Sequence, residues 1–381
     1  MKFAFVIFKY FPFGGAQRDM MRIARECVKL GHTVHIFTLS WEGPPPDQGV
    51  SHEVLEAGGW MNYQRYRDFI GQVQAKVSAG QYDLLVGFNR MPGLDAYFAA
   101  DPCFVERAYS NRPWWYRWSS RYHFFAECEK LVFAEDANCE ILLLSLSEKT
   151  VFQHWYQTPE ARFHLIPPVL PPERFVLGER AEIRASVRSE FGFPEDSRIL
   201  LLVGSGFKTK GLDRAMEGLL FLPDALRRKT YLLAVGQDNP DDFNRMAKKL
   251  RLERQVVICK GRSDIPRLMQ GADLLVHPAY RENTGLVLLE AMGCGLPVLA
   301  SDVCGYADHV LDSGAGELVA SPFDQEVFDQ LLLEMLESDS AEWRQHGLAY
   351  ARSLMAQNDG SAEARLLVGF AENKRKALAD A

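Results

Sequence analysis

Short runs of apolar residues, many of them β-branched or aromatic, recur along this chain with amphipathic stretches between them. Residues 3–8, 33–38, 83–88 and 141–145 have the character of buried strands, and Gln17 to Leu30 carries a helical stripe after the first of them. The alternation resumes at residues 199–203, 231–235, 256–259, 273–277 and 297–300. Strand, helix and strand in repeated succession predict parallel sheets covered by helices, an α/β architecture built twice. Between the two series stand Pro167, Pro168, Pro171 and Pro172, too closely spaced for a helix or a central strand, so a domain boundary is expected there. Two Rossmann-like domains follow, 1–167 and 168–356, with parallel sheets facing across a cleft. Ligands of such sheets bind beyond the carboxyl ends of the strands, so chemistry is expected in the loops after strands. From about Asp324 the pattern is helical to the end, and a last helix at about 357–381 is expected to pack back on the first domain.

A chain of 381 residues is long for one core, in keeping with two domains. With 47% hydrophobic and 24% charged residues it has the composition of a globular protein rather than a disordered or fibrous one. A formal charge of -7 argues against nucleic acid as a general partner but leaves room for a local basic patch. The seven cysteines show no C-x-x-C spacing and read as reduced core residues. The opening segment has too short an apolar run before Lys9, and no small-residue cleavage site, to be a secretory signal. No stretch approaches the roughly 18 apolar residues of a spanning helix, and a cytoplasmic location is expected.

Three loops carry candidate chemistry. Behind the first strand, Gly14 and Gly15 precede a helix; paired glycines let backbone N–H groups approach a phosphate, and they equally suit any tight strand-to-helix turn. The second domain opens with Gly204-Ser205-Gly206-Phe207-Lys208-Thr209-Lys210-Gly211-Leu212-Asp213. A P-loop would need Lys and Ser or Thr where Leu212 and Asp213 stand, and a dinucleotide fingerprint would need Gly at Thr209. What remains is a glycine-rich turn with two lysines at the mouth of a helix, suited to a diphosphate without a metal ion. Third, Glu282 and Glu290 flank Asn283-Thr284-Gly285-Leu286-Val287. If helix begins at Gly285, Glu282 lies in the loop before it and Glu290 two turns in. Carboxylates there accept hydrogen bonds from sugar hydroxyls, while the N–H groups of Thr284, Gly285 and Leu286 point at an anion.

Glu282 with Glu290 resembles the E-x7-E signature of retaining glycosyltransferases of the GT-B fold, and the two glycine loops stand in the order found there. The phrases around Lys9 to Gly15, Gly87 to Asp95 and His277 to Tyr280 are similar to those of the lipopolysaccharide-core glucosyltransferases, over nearly the whole chain. The resemblance implies that Glu282 holds hydroxyls of the donor sugar, Glu290 the ribose, and Lys210 the leaving diphosphate. Where the family usually has Arg before that lysine this chain has Thr209, with Lys208 one step earlier, so that role has no one-for-one heir. Arg262 resembles the position that contacts uracil. Relatives place a His near the donor sugar after the fourth strand; here Ala99-Ala100-Asp101-Pro102 offers Asp101, which is equally a simple turn residue. No D-x-D occurs, and no metal or other cofactor is expected.

From Arg107 to Arg121 lie Arg107, Arg112, Arg117 and Arg121 and no acid, interleaved with Tyr109, Trp114, Trp115, Tyr116 and Trp118. Trp, Tyr and Arg together suit an anionic bilayer interface or a phosphorylated acceptor, and ordinary packing is the alternative. Asp19 joins this group as a candidate acceptor contact. The resemblance thus implies transfer of a hexose, glucose first, from a UDP-sugar to a heptose of the lipopolysaccharide inner core, expected at the cytoplasmic face of the inner membrane. The rivals are another UDP-hexose or UDP-N-acetylhexosamine transferase of the cell envelope, a UDP-sugar epimerase, which would need no aromatic basic patch, and a silent scaffold, which would have lost Glu282 or Lys210.

Overall fold

The computed structural model describes residues 1–12, 14–80, 82–170, 172–175 and 178–379; Pro171, one of the four boundary prolines, lies outside them. The chain divides into two compact units, Met1–Pro167 with the chain from Asn358 onward, and Pro168–Gln357.

In the first unit the strands are β1 (Lys2–Val6), β2 (Thr33–Thr38), β3 (Val50–Val54), β4 (Leu84–Gly87), β5 (Ala96–Ala99), β6 (Glu140–Leu143) and β7 (Phe163–Leu165). They form one parallel sheet in the order β3-β2-β1-β4-β5-β6-β7. The second unit contributes β8 (Arg198–Val203), β9 (Thr230–Val235), β10 (Val256–Cys259), β11 (Leu274–His277), β12 (Val298–Ser301) and β13 (Gly316–Val319). Their order, β10-β9-β8-β11-β12-β13, is again parallel throughout. In both sheets the order reverses beside the first strand, so a crevice opens between β1 and β4 and between β8 and β11.

Helices cover both faces of each sheet, which is why the central strands read as unbroken apolar runs. Ile199 and Leu201 of β8 enter one core cluster while Leu200 and Leu202 enter the other, the period of two that a pleated strand imposes. β1 divides likewise, with Ala4 and Val6 on one side and Phe3 and Phe5 on the other. The last helix, Ala362–Ala379, buries Ala364, Leu367 and Ala371 in the first unit's core. Arg22 reaches its Glu363 at 2.5 Å, and Lys374 and Arg375 reach Asp95 and Asp83, each at 2.7 Å.

Four strands were not foreseen: β3, β5, β7 and β13. The tail is not one helix either. It breaks at Ser338 and again after Gln357, giving Gln325–Glu337, Ala341–Gln357 and Ala362–Ala379. Asp339 accepts from the Ala341 N–H at 3.0 Å, and Asp359 from the Ser361 N–H at 2.9 Å, so each break is a short polar turn that starts the next helix.

Candidate functional site

The site in the second unit is made by the loops that leave β8 and β11 where the strand order reverses. Gly211 sits between them. Its φ is +78°, and a Cβ on it would lie 2.0 Å from the Pro278 carbonyl oxygen, so only glycine lets the two loops touch here. The Tyr280 N–H donates to the Thr209 carbonyl at 2.8 Å across the same contact. Directly after Gly211 begins the helix Leu212–Phe221, whose first N–H groups face the loop.

That approach brings Lys210 and Glu282 together. The Lys210 ammonium forms an ion pair with Glu282 Oε2, and the Nε2 of fully buried His277, the last residue of β11, lies 3.3 Å from the same oxygen. Burial pushes the Glu282 carboxyl up, but the His277 hydrogen bond and the Lys210 charge outweigh it and hold the group at about 2. Glu282 is therefore a fixed carboxylate. Gly285, at φ +82°, turns the chain into the helix Leu286–Gly293, and Thr284 accepts from the Tyr306 N–H at 2.7 Å. The helix starts one residue later than expected, and buried Glu290, four residues past Leu286, lies just over one turn inside it where two turns were expected. Leu286 and Val287 pack half-buried against the core of the unit.

Lys208 is spoken for. It pairs with Asp213 and reaches the Tyr280 hydroxyl at 3.0 Å, and that hydroxyl donates to Asp213 at 2.7 Å. Arg214 stacks on the other part of this cluster, 3.6 Å from the Tyr280 ring centre. The group fastens one loop to the other, and Thr209 adds a backbone acceptor rather than a charge. Arg262, after β10, is gripped by Asp264 at 2.7 Å and Glu190 at 2.8 Å. Hydrogen bonding to Asp264 raises its affinity for its proton further.

In the first unit Gly14 caps the helix Gly15–Lys29 without any side-chain acceptor, and a Cβ on Gly15 would meet nothing within 4 Å. The space beside Gly15 is open, whereas a Cβ on Gly14 would strike the Gln17 side-chain amide and the Phe11 ring. Asp19 binds Arg22 at 3.4 Å in the network that reaches Glu363, and burial pushes its carboxyl up. Asp101 has an exposed side chain and follows the fifth strand, not the fourth, because β3 precedes it. Its carbonyl accepts from Arg90 at 2.6 Å.

Sequence reasoning missed what secures that loop. Glu129, fully buried, accepts from the Phe104 and Val105 N–H groups at 2.6 and 3.0 Å, from the Tyr156 hydroxyl at 2.7 Å and from Arg90 at 2.6 Å. One of two acids in the run Phe124-Phe125-Ala126-Glu127-Cys128-Glu129, it gave no sign of the donors gathered on it from elsewhere. His277 was likewise quoted within a phrase but given no task.

Trp114, Trp115 and Trp118 lie in a short 3-10 turn and are 61%, 59% and 73% exposed, so they are surface rather than packing. Arg112 and Arg117 lie over the rings of Tyr116 and Tyr109, 5.5 and 4.3 Å from their centres, and Arg121 over Phe125 at 5.1 Å. Among the described residues no helix is long and apolar enough to cross a membrane, and no three His, Cys, Asp or Glu side chains are grouped to hold a metal ion.

Residues 184–353 match the family model of glycosyl transferases group 1, and residues 13–174 that of glycosyltransferase family 4. The chain is 40% identical over 352 residues to the lipopolysaccharide glucosyltransferase WaaG of Escherichia coli (strain K12), covering 91% of this chain and 93% of the relative. The crystal structure of WaaG, a glycosyltransferase involved in lipopolysaccharide biosynthesis, matches with a TM-score of 0.89 at 38% identity, over 96% of this chain and all of that one. A D-inositol 3-phosphate glycosyltransferase of Stackebrandtia nassauensis is 26% identical over 80% of this chain and 75% of its own length. Two parallel-sheet units, a lysine-glutamate pair at the strand reversal and a match that runs nearly end to end have one common source: the chain belongs to the glycosyltransferase family that includes WaaG.

Proposed function

We propose that the chain transfers glucose from UDP-glucose to a heptose of the lipopolysaccharide inner core, with retention of anomeric configuration and without a metal ion. The observation that carries this reading is the likeness to WaaG along the whole chain, with Lys210 and Glu282 set at the strand reversal.

In this reading the diphosphate of the donor lies against Lys210 and the N-terminus of the helix Leu212–Phe221, where an ammonium and free N–H groups offset its charge. Glu282 accepts hydroxyls of the hexose, and Glu290 those of the ribose. As the bond from C1 to the diphosphate oxygen breaks, the acceptor hydroxyl oxygen forms the new bond to C1 from the same face. Its proton passes to the departing oxygen. Lys210 stabilises the charge that grows there, a contribution that is larger in the transition state than in the ground state. Arg262, clamped by two carboxylates, serves the uracil ring through its guanidinium face.

The acceptor is a lipid-linked saccharide, and the exposed tryptophans with Arg112, Arg117 and Arg121 give the protein a reversible hold on the anionic inner face of the cytoplasmic membrane. UDP release is the test. A panel of UDP-sugars, measured in EDTA with and without purified inner-core acceptor, is expected to give acceptor-dependent release with UDP-glucose above all others. Release with another UDP-sugar would change the donor, and activity that vanishes in EDTA and returns with Mg or Mn would overturn the metal-free reading.

A further inference from the structure

His277 and Lys210 converge on one oxygen of Glu282, Oε2, while Oε1 accepts from no described residue. The two partners differ in kind. Lys210 lies on a glycine-rich loop and ends a chain of four rotatable methylenes. His277 closes β11, in register with Ala300 of β12, is followed by Pro278 and is wholly buried. Strand pairing and the following proline fix its backbone, and packing fixes its ring.

The ring's other nitrogen, Nδ1, is buried with no hydrogen-bond partner among the described residues. A carboxylate only accepts, so the tautomer with its proton on Nε2 gives every N–H an acceptor and leaves a bare lone pair at Nδ1. His277 therefore points one donor at one oxygen. A diphosphate presents more charge and more acceptor oxygens than a carboxylate, and draws Lys210 away from Oε2 when both compete for it. Without a second donor Glu282 would then be free to turn about its side-chain bonds at the moment the sugar needs it.

We propose that His277 is the positioning residue for Glu282: it holds Oε2 when Lys210 engages the diphosphate, and so keeps Oε1 presented to the donor sugar's hydroxyls. This rests on the assignment of Lys210 to the diphosphate and Glu282 to the sugar, and it adds a residue that touches neither.

The test compares the affinities of the full-length protein for UDP and UDP-glucose, by calorimetry, in wild type, His277→Gln, His277→Asn and Glu282→Ala. The glutamine amide reaches the place of Nε2; the asparagine amide stops near Nδ1. His277→Asn is expected to keep UDP affinity within about twofold and to lose on the order of tenfold in the advantage of UDP-glucose over UDP, with His277→Gln recovering most of it. Equal behaviour of Gln and Asn, or an equal loss for UDP and UDP-glucose, overturns the proposal by making His277 a general support of the loop. If Glu282→Ala loses the advantage while His277→Asn keeps it, the proposal fails and the role of Glu282 stands. If Glu282→Ala keeps it, the role of Glu282 fails and takes the proposal with it. Cooperative melts of all four proteins accompany the titrations, and should His277→Asn not fold, wild-type discrimination by His277→Gln upholds the proposal and its loss overturns it.

Discussion

Two lysines two positions apart meet different fates. Lys210 is largely enclosed beside Glu282, its side chain 16% exposed, while Lys208 is 67% exposed and tied to Asp213 and Tyr280. An exposed ion pair contributes little, whereas a charge set against a departing diphosphate acts where charge develops. Lys210→Ala should lower kcat on the order of 10²-fold, and Lys208→Ala no more than about threefold. Steady-state kinetics with UDP-glucose checks this, and a larger loss at Lys208 would mean that it, not Lys210, faces the phosphates. Motif order pointed to Lys210 and Glu282; nothing in spacing could show that Lys208 folds onto Tyr280, because that contact joins residues of two separate loops.

Glu282 also sets a pH dependence. Its folded value, about 2, lies below the ordinary 4.5, so its contribution is fully present above pH 4.5 and fades as pH falls toward 2. Glu282→Gln lacks this contribution at every pH. The stability gap between wild type and Glu282→Gln should therefore narrow by about 2 kcal/mol from about pH 6 to about pH 3. Urea unfolding at both values checks it; a gap that widens on acidification would contradict the assignment of Glu282 as a held carboxylate.

At the level of elements, long buried strands were legible and short or edge ones were not. β3 and β7 lie at the two edges of the first sheet, β13 at an edge of the second, and each mixes polar with apolar residues. β5 is buried throughout, and although Pro92-Gly93 and Asp101-Pro102 punctuate the chain on either side of it, four residues are too few to show a period. The turn Trp114–Trp118 was legible by composition alone, since three tryptophans among arginines are unusual on any element. Its exposure now gives that composition a place to act. Headgroup attraction is worth roughly 1 kcal/mol per Arg near an anionic surface, and inserted Trp rings add to it. Replacing Arg112, Trp114, Trp115 and Arg117 together should abolish sedimentation with anionic vesicles while leaving UDP-glucose affinity and the cooperative melt intact. Equal sedimentation of variant and wild type would remove the membrane contact; a lost melt would show that these side chains support the fold.

For the molecule as a whole, the double alternation of strand and helix was enough for two parallel sheets, because burial on both faces writes long apolar runs into the sequence. Polar anchors that join distant segments were hidden: Glu129 under the loop at Asp101, and Glu363 beneath Arg22, each meet partners that only folding brings near. Membership in the family of WaaG then joins a fold and a pair of charged side chains to one chemistry. The most direct measurement is of the product itself. Heptose-terminated inner-core acceptor is incubated with UDP-glucose and the full-length protein, and the isolated saccharide is analysed by mass spectrometry and by NMR of its new anomeric carbon. The account predicts the gain of one hexose, joined to heptose in the same anomeric configuration as in the donor. An unchanged acceptor, or a product of inverted configuration, would contradict it.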